Sequence, residues 1–100
     1  MPQITMEAPH AIGRDEALKR LRDKFDSVRS TYGSQVRDLN EAWTDHTLNF
    51  SFNAMGMGVS GTVKVEDAAV KLKADLPLAA SFFKGAIESR LRSELGDLLA

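Results

Sequence analysis

Three consecutive stretches between Leu48 and Leu76 alternate apolar and polar residues, and the turns between them fix how they pair. Leu48, Phe50, Phe52 and Ala54 form the first apolar set. Met57, Val59, Gly61, Val63 and Val65 form the second; Val70, Leu72, Ala74 and Leu76 form the third. A period of two turns each set to one face of a pleated strand. With Met55-Gly56 as the first turn, Ala54 opposes Met57, and Phe52, Phe50 and Leu48 then oppose Val59, Gly61 and Val63. With Glu66–Ala69 as the next turn, Val65 opposes Val70, and Val63, Gly61 and Val59 then meet Leu72, Ala74 and Leu76. Two independent hairpins thus turn all their apolar residues to one common side.

The remaining segments supply what that side needs to cover it. Ile4, Met6 and Ala8 alternate with polar residues, which predicts a strand over 3–8 closed by Pro9. Gly13 opens a helix predicted over 14–32, with Asp15 and Glu16 in its first turn and Gly33 as its stop. Leu18, Leu21, Phe25, Val28 and Tyr32 lie at spacings of three and four along its face. Asp15 with Lys19 and Glu16 with Arg20 stand acid-first at i, i+4, as do Glu88 and Arg92 further on. A strand over 37–44 joins through Asp45-His46 to strands over 47–54, 57–66 and 69–76. Pro77 suits the first position of a last helix over 77–99, whose stripe is Phe83, Ile87, Leu91, Leu95 and Leu98. The expectation is a single α+β domain over 1–100. Its order is β-α-β-β-β-β-α, an antiparallel meander packed against a long C-terminal helix.

Composition excludes several classes of function. A net charge of -1 gives no general attraction to nucleic acid or an anionic membrane. Without cysteine there is neither a disulfide framework nor thiolate chemistry. The N-terminus lacks the basic start and apolar run of a signal peptide, and no stretch has the ~20 apolar residues of a membrane span. A cytoplasmic location is expected, without integral membrane association.

Motifs that suggest chemistry fail on context. Gly56-Met57-Gly58-Val59-Ser60-Gly61 matches G-x-G-x-x-G, but a dinucleotide site needs those glycines at a strand-to-helix turn. Here a period-two strand follows. Gly56 serves a turn, and Gly61 leaves room beneath Phe50 or a crossing helix. The stretch also mimics the glycine-rich hairpin of protein kinases, yet the catalytic loop and metal-binding aspartate motifs are missing. His10 and His46 have no further ligand at metal spacing, and Ser51 and Ser60 have no base nearby. The sequence therefore predicts no catalytic residues, no metal site and no cofactor.

Two places resist a purely structural account. Continuing the meander register puts Trp43 opposite Leu48, Leu39 opposite Phe52 and Glu41 opposite Phe50, which turns Glu41 to the apolar side. A carboxylate there must be paired, protonated or wet, unless a bulge turns it outward. The second place is Leu78–Phe83. Adjacent helical residues point about 100° apart, so Phe82 and Phe83 cannot share one narrow stripe. Either one of them meets a partner, ligand or second subunit, or a curved sheet grips a broad stripe.

Ile12-Gly13 through Ala17 and Leu21, Glu41-Ala42-Trp43, Phe50-Ser51-Phe52, Met55-Gly56-Met57 and Val59-Ser60-Gly61 carry a resemblance, continued by Leu76-Pro77 and Phe83-Lys84-Gly85…Ile87-Glu88. The chain resembles the small bacterial family of polyhydroxyalkanoic acid system (granule-region) proteins over almost its whole length. The resemblance implies association with bacterial polyester storage and brings no catalytic residues. The element order also resembles a reduced START-type helix-grip fold, in which an apolar ligand sits between a curved sheet and the last helix. The expected function is that of a non-catalytic accessory protein contacting a granule or granule-associated protein through Leu78, Phe82 and Phe83. The alternative is a carrier of a small apolar or acyl ligand between sheet and C-terminal helix. Phe50, Phe52, Phe83 and Ile87 either contact that ligand or a partner, or fill the space where a larger relative keeps a cavity, and Glu41 and Trp43 stand at the groove's rim. An open sheet edge at 3–8 or 37–44 suggests a homodimer.

Overall fold

The computed structural model describes residues 3–33, 36–54 and 56–100. Five strands form one antiparallel sheet: β1 (Gln3–Pro9), β2 (Val36–Thr44), β3 (Thr47–Ala54), β4 (Met57–Val65) and β5 (Ala69–Asp75). Helix α1 (Arg14–Tyr32) follows β1, and a 3-10 turn (Leu78–Phe83) leads into helix α2 (Lys84–Leu99). The strand order is β1-β5-β4-β3-β2, so the four-strand meander is completed by β1 at the outer side of β5. The fold is α+β, as the alternation implies.

The register follows the apolar pattern residue by residue. Leu48, Phe50 and Phe52 lie opposite Val63, Gly61 and Val59. Val63, Gly61 and Val65 in turn meet Leu72, Ala74 and Val70. Ile4 and Met6 of β1 lie against Ala74 and Leu72. These inward residues are joined by Ala17 and Leu21 of α1 and by Leu95 and Leu99 of α2 in one core. Both helices therefore cover the same face of the sheet. They run antiparallel to each other: Arg20 donates to the carbonyls of Leu98 and Ala100, and Lys24 pairs with Glu94 at 3.2 Å.

Glycine is required at one strand position. Gly61 faces the ring of Phe50, and a Cβ there would meet Phe50 Cζ at 2.8 Å and collide with the Lys73 carbonyl oxygen. The absent side chain lets an aromatic lie flat across the strand. Gly56 has φ 79°, the left-handed conformation its turn needs. The G-x-G-x-x-G segment thus occupies the β3–β4 hairpin and continues into β4; Met55 lies outside the described residues.

The structure departs from the sequence reading at several points. The final segment is not one helix over 77–99: a 3-10 turn precedes α2, with Pro77 as its extended N-cap at ψ 153° rather than a first helical residue. Phe83 consequently leaves the expected buried stripe and is 64% exposed, whereas Leu95 and Leu99 are buried. In β2 the register shifts between Arg37 and Asn40, so Leu39 does not pair with Phe52. Asp38 takes φ 54° in that bulge. The Asn40 side chain donates to the Asp38 carbonyl, and Asn53 donates to the Asp38 carboxylate at 3.0 Å. Finally, some helix pairs exchange partners. Glu16–Arg20 forms at 3.3 Å, but Asp15 faces His46 at 3.6 Å and Glu88 faces Lys84 at 3.9 Å.

Candidate functional site

The residues singled out from the sequence fall into two groups. The first lies where α1 crosses β2 and β3. Phe25 of α1 packs on Phe50 with ring centroids 6.0 Å apart, and Phe50 stacks on Phe52 at 6.3 Å. Beside them Glu41 stays on the helix-covered side, opposite Phe50. The bulge lies at Asp38–Leu39, before Glu41, and does not turn it outward. Its Oε2 lies 2.6 Å from Arg29 Nη2, a close charge contact whose angles fall outside hydrogen-bond geometry. Glu41 Oε1 accepts from Trp43 Nε1 at 3.3 Å. Contact with Glu41, and then its charge, raise the Arg29 guanidinium above its ordinary value. The guanidinium of Arg22 lies 5.0 Å from the centre of the Trp43 ring, within cation–π range.

A clasp of two arginines, a carboxylate and an indole thus joins α1 to β2. Its chemical capacity is binding and positioning. Arg22 and Arg29 were missed by sequence reasoning. Their spacing of seven residues put them on one face of α1, but the solvated look of the surrounding charges hid that face's partner.

The second group is the 3-10 turn. It has no buried residue: Leu78 is 74% exposed, Phe82 89% and Phe83 64%. Both phenylalanines are exposed, so neither alternative drawn from the sequence describes the pair. Ile87, one turn into α2, packs half-buried against the core. The turn follows the C-terminal end of β5, so it leaves the sheet at the end that carries the β3–β4 hairpin. Glu41 and Trp43 belong to the α1 clasp and do not rim a groove beneath α2.

Two of the open depressions among the described residues lie away from α2. One, of about 600 Å³, sits at the start of α1 between Ile12–Glu16, His46 and Asp67. There Asp67 accepts a hydrogen bond from the Arg14 N–H at 3.4 Å, serving the helix N-terminus from the β4–β5 turn. The other, of about 410 Å³, lies over the β2 bulge between Asp38, Asn40, Asn53 and the β4 residues Gly58–Ser60. Among the described residues no three of His, Cys, Asp and Glu converge to hold a metal ion. No described helix is long and apolar enough to cross a membrane.

The family described as "Putative polyhydroxyalkanoic acid system protein" matches residues 4–99. The chain belongs to that family. The match takes in both helices and every strand, apart from the first residue of β1. It places the chain in the polyhydroxyalkanoic acid system without assigning a reaction to it. No curated protein matches the sequence. Among solved structures, the crystal structure of TTHA0849 from Thermus thermophilus is similar at a TM-score of 0.41 and 14% identity, covering 98% of this chain and 92% of that one.

Proposed function

We propose that this member of the polyhydroxyalkanoic acid system family is a non-catalytic accessory protein that works by contact, with the 3-10 turn Leu78–Phe83 as its docking element. The observation that carries the reading is the exposure of Leu78, Phe82 and Phe83 within six consecutive residues. Large apolar side chains scattered singly over a surface need no explanation, but two adjacent phenylalanines held out on one short turn do. Two exposed rings present a few hundred Å² of apolar area, enough to hold an apolar solid when several copies adsorb together. The partner that fits is the surface of a polyester storage granule, or a protein bound to it.

Contact is favoured over ligand carriage by where the apolar side chains lie. Phe50 and Ile87 pack against the core, whereas Leu78, Phe82 and Phe83 stand exposed. The site is built from side chains that adhere and position. A cytoplasmic location accords with a storage polymer kept inside the cell.

Phe82→Asp tests the reading. The residue is 89% exposed, so the variant keeps the melting temperature of the wild type within about 2 °C. The same variant, expressed in cells that accumulate polyester, is expected to leave the granule fraction for the soluble fraction. Unchanged granule association of Phe82→Asp and of Leu78→Asp would sink the proposal.

A further inference from the structure

The two outer strands of the sheet present different edges. β2 carries the bulge at Asp38, with the charges of Arg37 and Asp38 in it, and bulges and charge are what keep an exposed edge from pairing. β1 pairs with β5 over seven residues without a shift, and charge enters it only at Glu7. The direction of its backbone groups follows from its end: the His10 N–H donates to the Ala68 carbonyl at 2.9 Å. Antiparallel pairing alternates, so Ala8, Met6 and Ile4 also spend their backbone groups on β5. Gln3, Thr5, Glu7 and Pro9 turn theirs away from the sheet. Pro9 has no N–H to leave bare, which is how an edge strand tolerates proline. Among the described residues no strand lies beyond this edge.

The edge is complementary to itself. A two-fold axis at Thr5 sets Thr5 beside the partner's Thr5 and Gln3 beside the partner's Glu7, and it matches every outward N–H with an outward carbonyl. Hydroxyl then meets hydroxyl across the seam. The Gln3 amide spends one N–H on Asp75 at 2.9 Å and has its other for the carboxylate of the partner's Glu7. The helix above the edge is shaped for a neighbour as well. α2 packs on β1, while α1 holds one flank of α2 through Lys24 with Glu94 and Arg20 with the Leu98 carbonyl. At 3.6 residues per turn, the flank turned away from α1 carries Gly85, Ser89, Arg92 and Gly96, all exposed. A Cβ on Gly85 or Gly96 would meet nothing within 4 Å, so this chain alone requires glycine at neither position, and glycine weakens a helix.

We infer that the β1 edge is an interface for a second copy of this chain: β1 pairs antiparallel with the partner's β1 about Thr5, which joins the two sheets into one and sets the two α2 helices side by side above the seam. Paired strands lie about 4.8 Å apart, so the helices above them approach closely, and small residues on the facing flanks admit that approach. An axis normal to the sheet keeps both helical layers on the same side, so the buried faces of the two sheets run on into each other. The inference goes beyond the contact function proposed above and does not depend on it. A dimer carries two Leu78–Phe83 turns on one body, which makes any contact they form bivalent.

The test is sedimentation velocity of the full-length chain from about 1 μM to about 1 mM, a range in which the wild type is expected to pass from monomer to dimer. Thr5→Pro removes the central outward N–H, a donor that β5 does not use. It is expected to weaken the dimer at least tenfold, while the dilute chain melts within about 3 °C of the wild type. Gly96→Gln is expected to move two properties in opposite directions. As a better helix former in open space it raises the melting temperature of the dilute chain, and by its bulk at the seam it weakens the dimer about tenfold. That opposition decides the matter should Thr5→Pro fail to fold. A wild type that stays monomeric up to about 1 mM overturns the inference. So does a dimer that neither substitution weakens, or one that Phe82→Asp dissolves while Thr5→Pro leaves it whole, which assigns the interface to the apolar turn. No granule enters these measurements, so the contact function stands or falls by its own test.

Discussion

The two sides of the sheet beneath the helices are closed by different means. On the β1–β5–β4 side, Ile4, Val65 and Val70 are each 2% exposed or less, and aliphatic side chains from both helices fill the space above. On the β2–β3 side, cover comes from the Phe25–Phe50–Phe52 aromatics and from the Arg29–Glu41–Trp43–Arg22 clasp. Leu48 marks the boundary, buried on β3 but paired across to partly buried Trp43 on β2. Aliphatic closure depends on volume and is nearly independent of pH, whereas the clasp depends on charge and geometry and is partly wet. The stability of the chain should therefore sit on one side and its adaptability on the other. α1 spans both regimes: Leu21 is buried, and Val28, two turns later, is 41% exposed.

The sharpest way to break that contrast is to excavate the aliphatic side. Ile4→Ala removes a side chain with no exposure and is expected to cost about 3 kcal/mol, read as a melting temperature lower by roughly 15 °C. A loss below about 1 kcal/mol would mean that this side is no tighter than the other. Gly61→Ala comes next, at about 2 kcal/mol, because the new methyl group collides with the Lys73 backbone and with Phe50. Adding Phe50→Leu is not expected to rescue it, since the backbone carbonyl cannot move without tearing the β4–β5 pairing. Full rescue would place the strain in the aromatic stack instead.

Which side a residue belongs to also decides how readily it is read from sequence. The registers of β3, β4 and β5 are legible because each apolar residue has one face to occupy and a short turn to count from. The bounds 14–32 of α1 were legible for a similar reason, with Gly13 and Gly33 framing one apolar stripe. The β2 bulge was not, because Asp38 at φ 54° is stabilised by Asn40 and Asn53, a side-chain effect without periodicity. Leu78–Phe83 misled because Leu, Ala and Phe suit either kind of helix. What distinguishes the 3-10 turn is that nothing in the fold covers it, which is a tertiary fact. Of the candidate site, Glu41 announced itself as a carboxylate on an apolar face, but its partner Arg29 could be found only once α1 had been placed over β2.

On the clasp side the expected effects are smaller and depend on the solvent. Glu41→Gln keeps the shape and an acceptor for Trp43 but removes the charge facing Arg29. The variant is expected to lose less stability than Gly61→Ala, to shift Trp43 emission to the red, and to show a deficit that shrinks in high salt. A loss as large as that of Ile4→Ala would make the clasp the equal of the aliphatic side and end the distinction between them.

The smallest effect is a test of the seam between the helices rather than of either side. Hydrogen bonds from Lys24 and then Arg90, reinforced by their charges, hold the Glu94 carboxyl below its ordinary value of 4.5. The folded chain therefore keeps Glu94 ionised at pH values where the unfolded chain has begun to protonate it. Its contribution is complete above the unfolded value and is lost as pH falls through the lowered folded one, so stability declines in that window. Glu94→Gln lacks this step. Its stability-against-pH curve should run below that of the wild type at neutral pH and converge with it in acid. Because both partners are exposed and screened, the separation at neutral pH should be slight and should narrow with salt. Curves that stay parallel as the pH falls well below the ordinary carboxylate range would show that Glu94 joins α1 to α2 through packing, which would extend aliphatic closure across the seam.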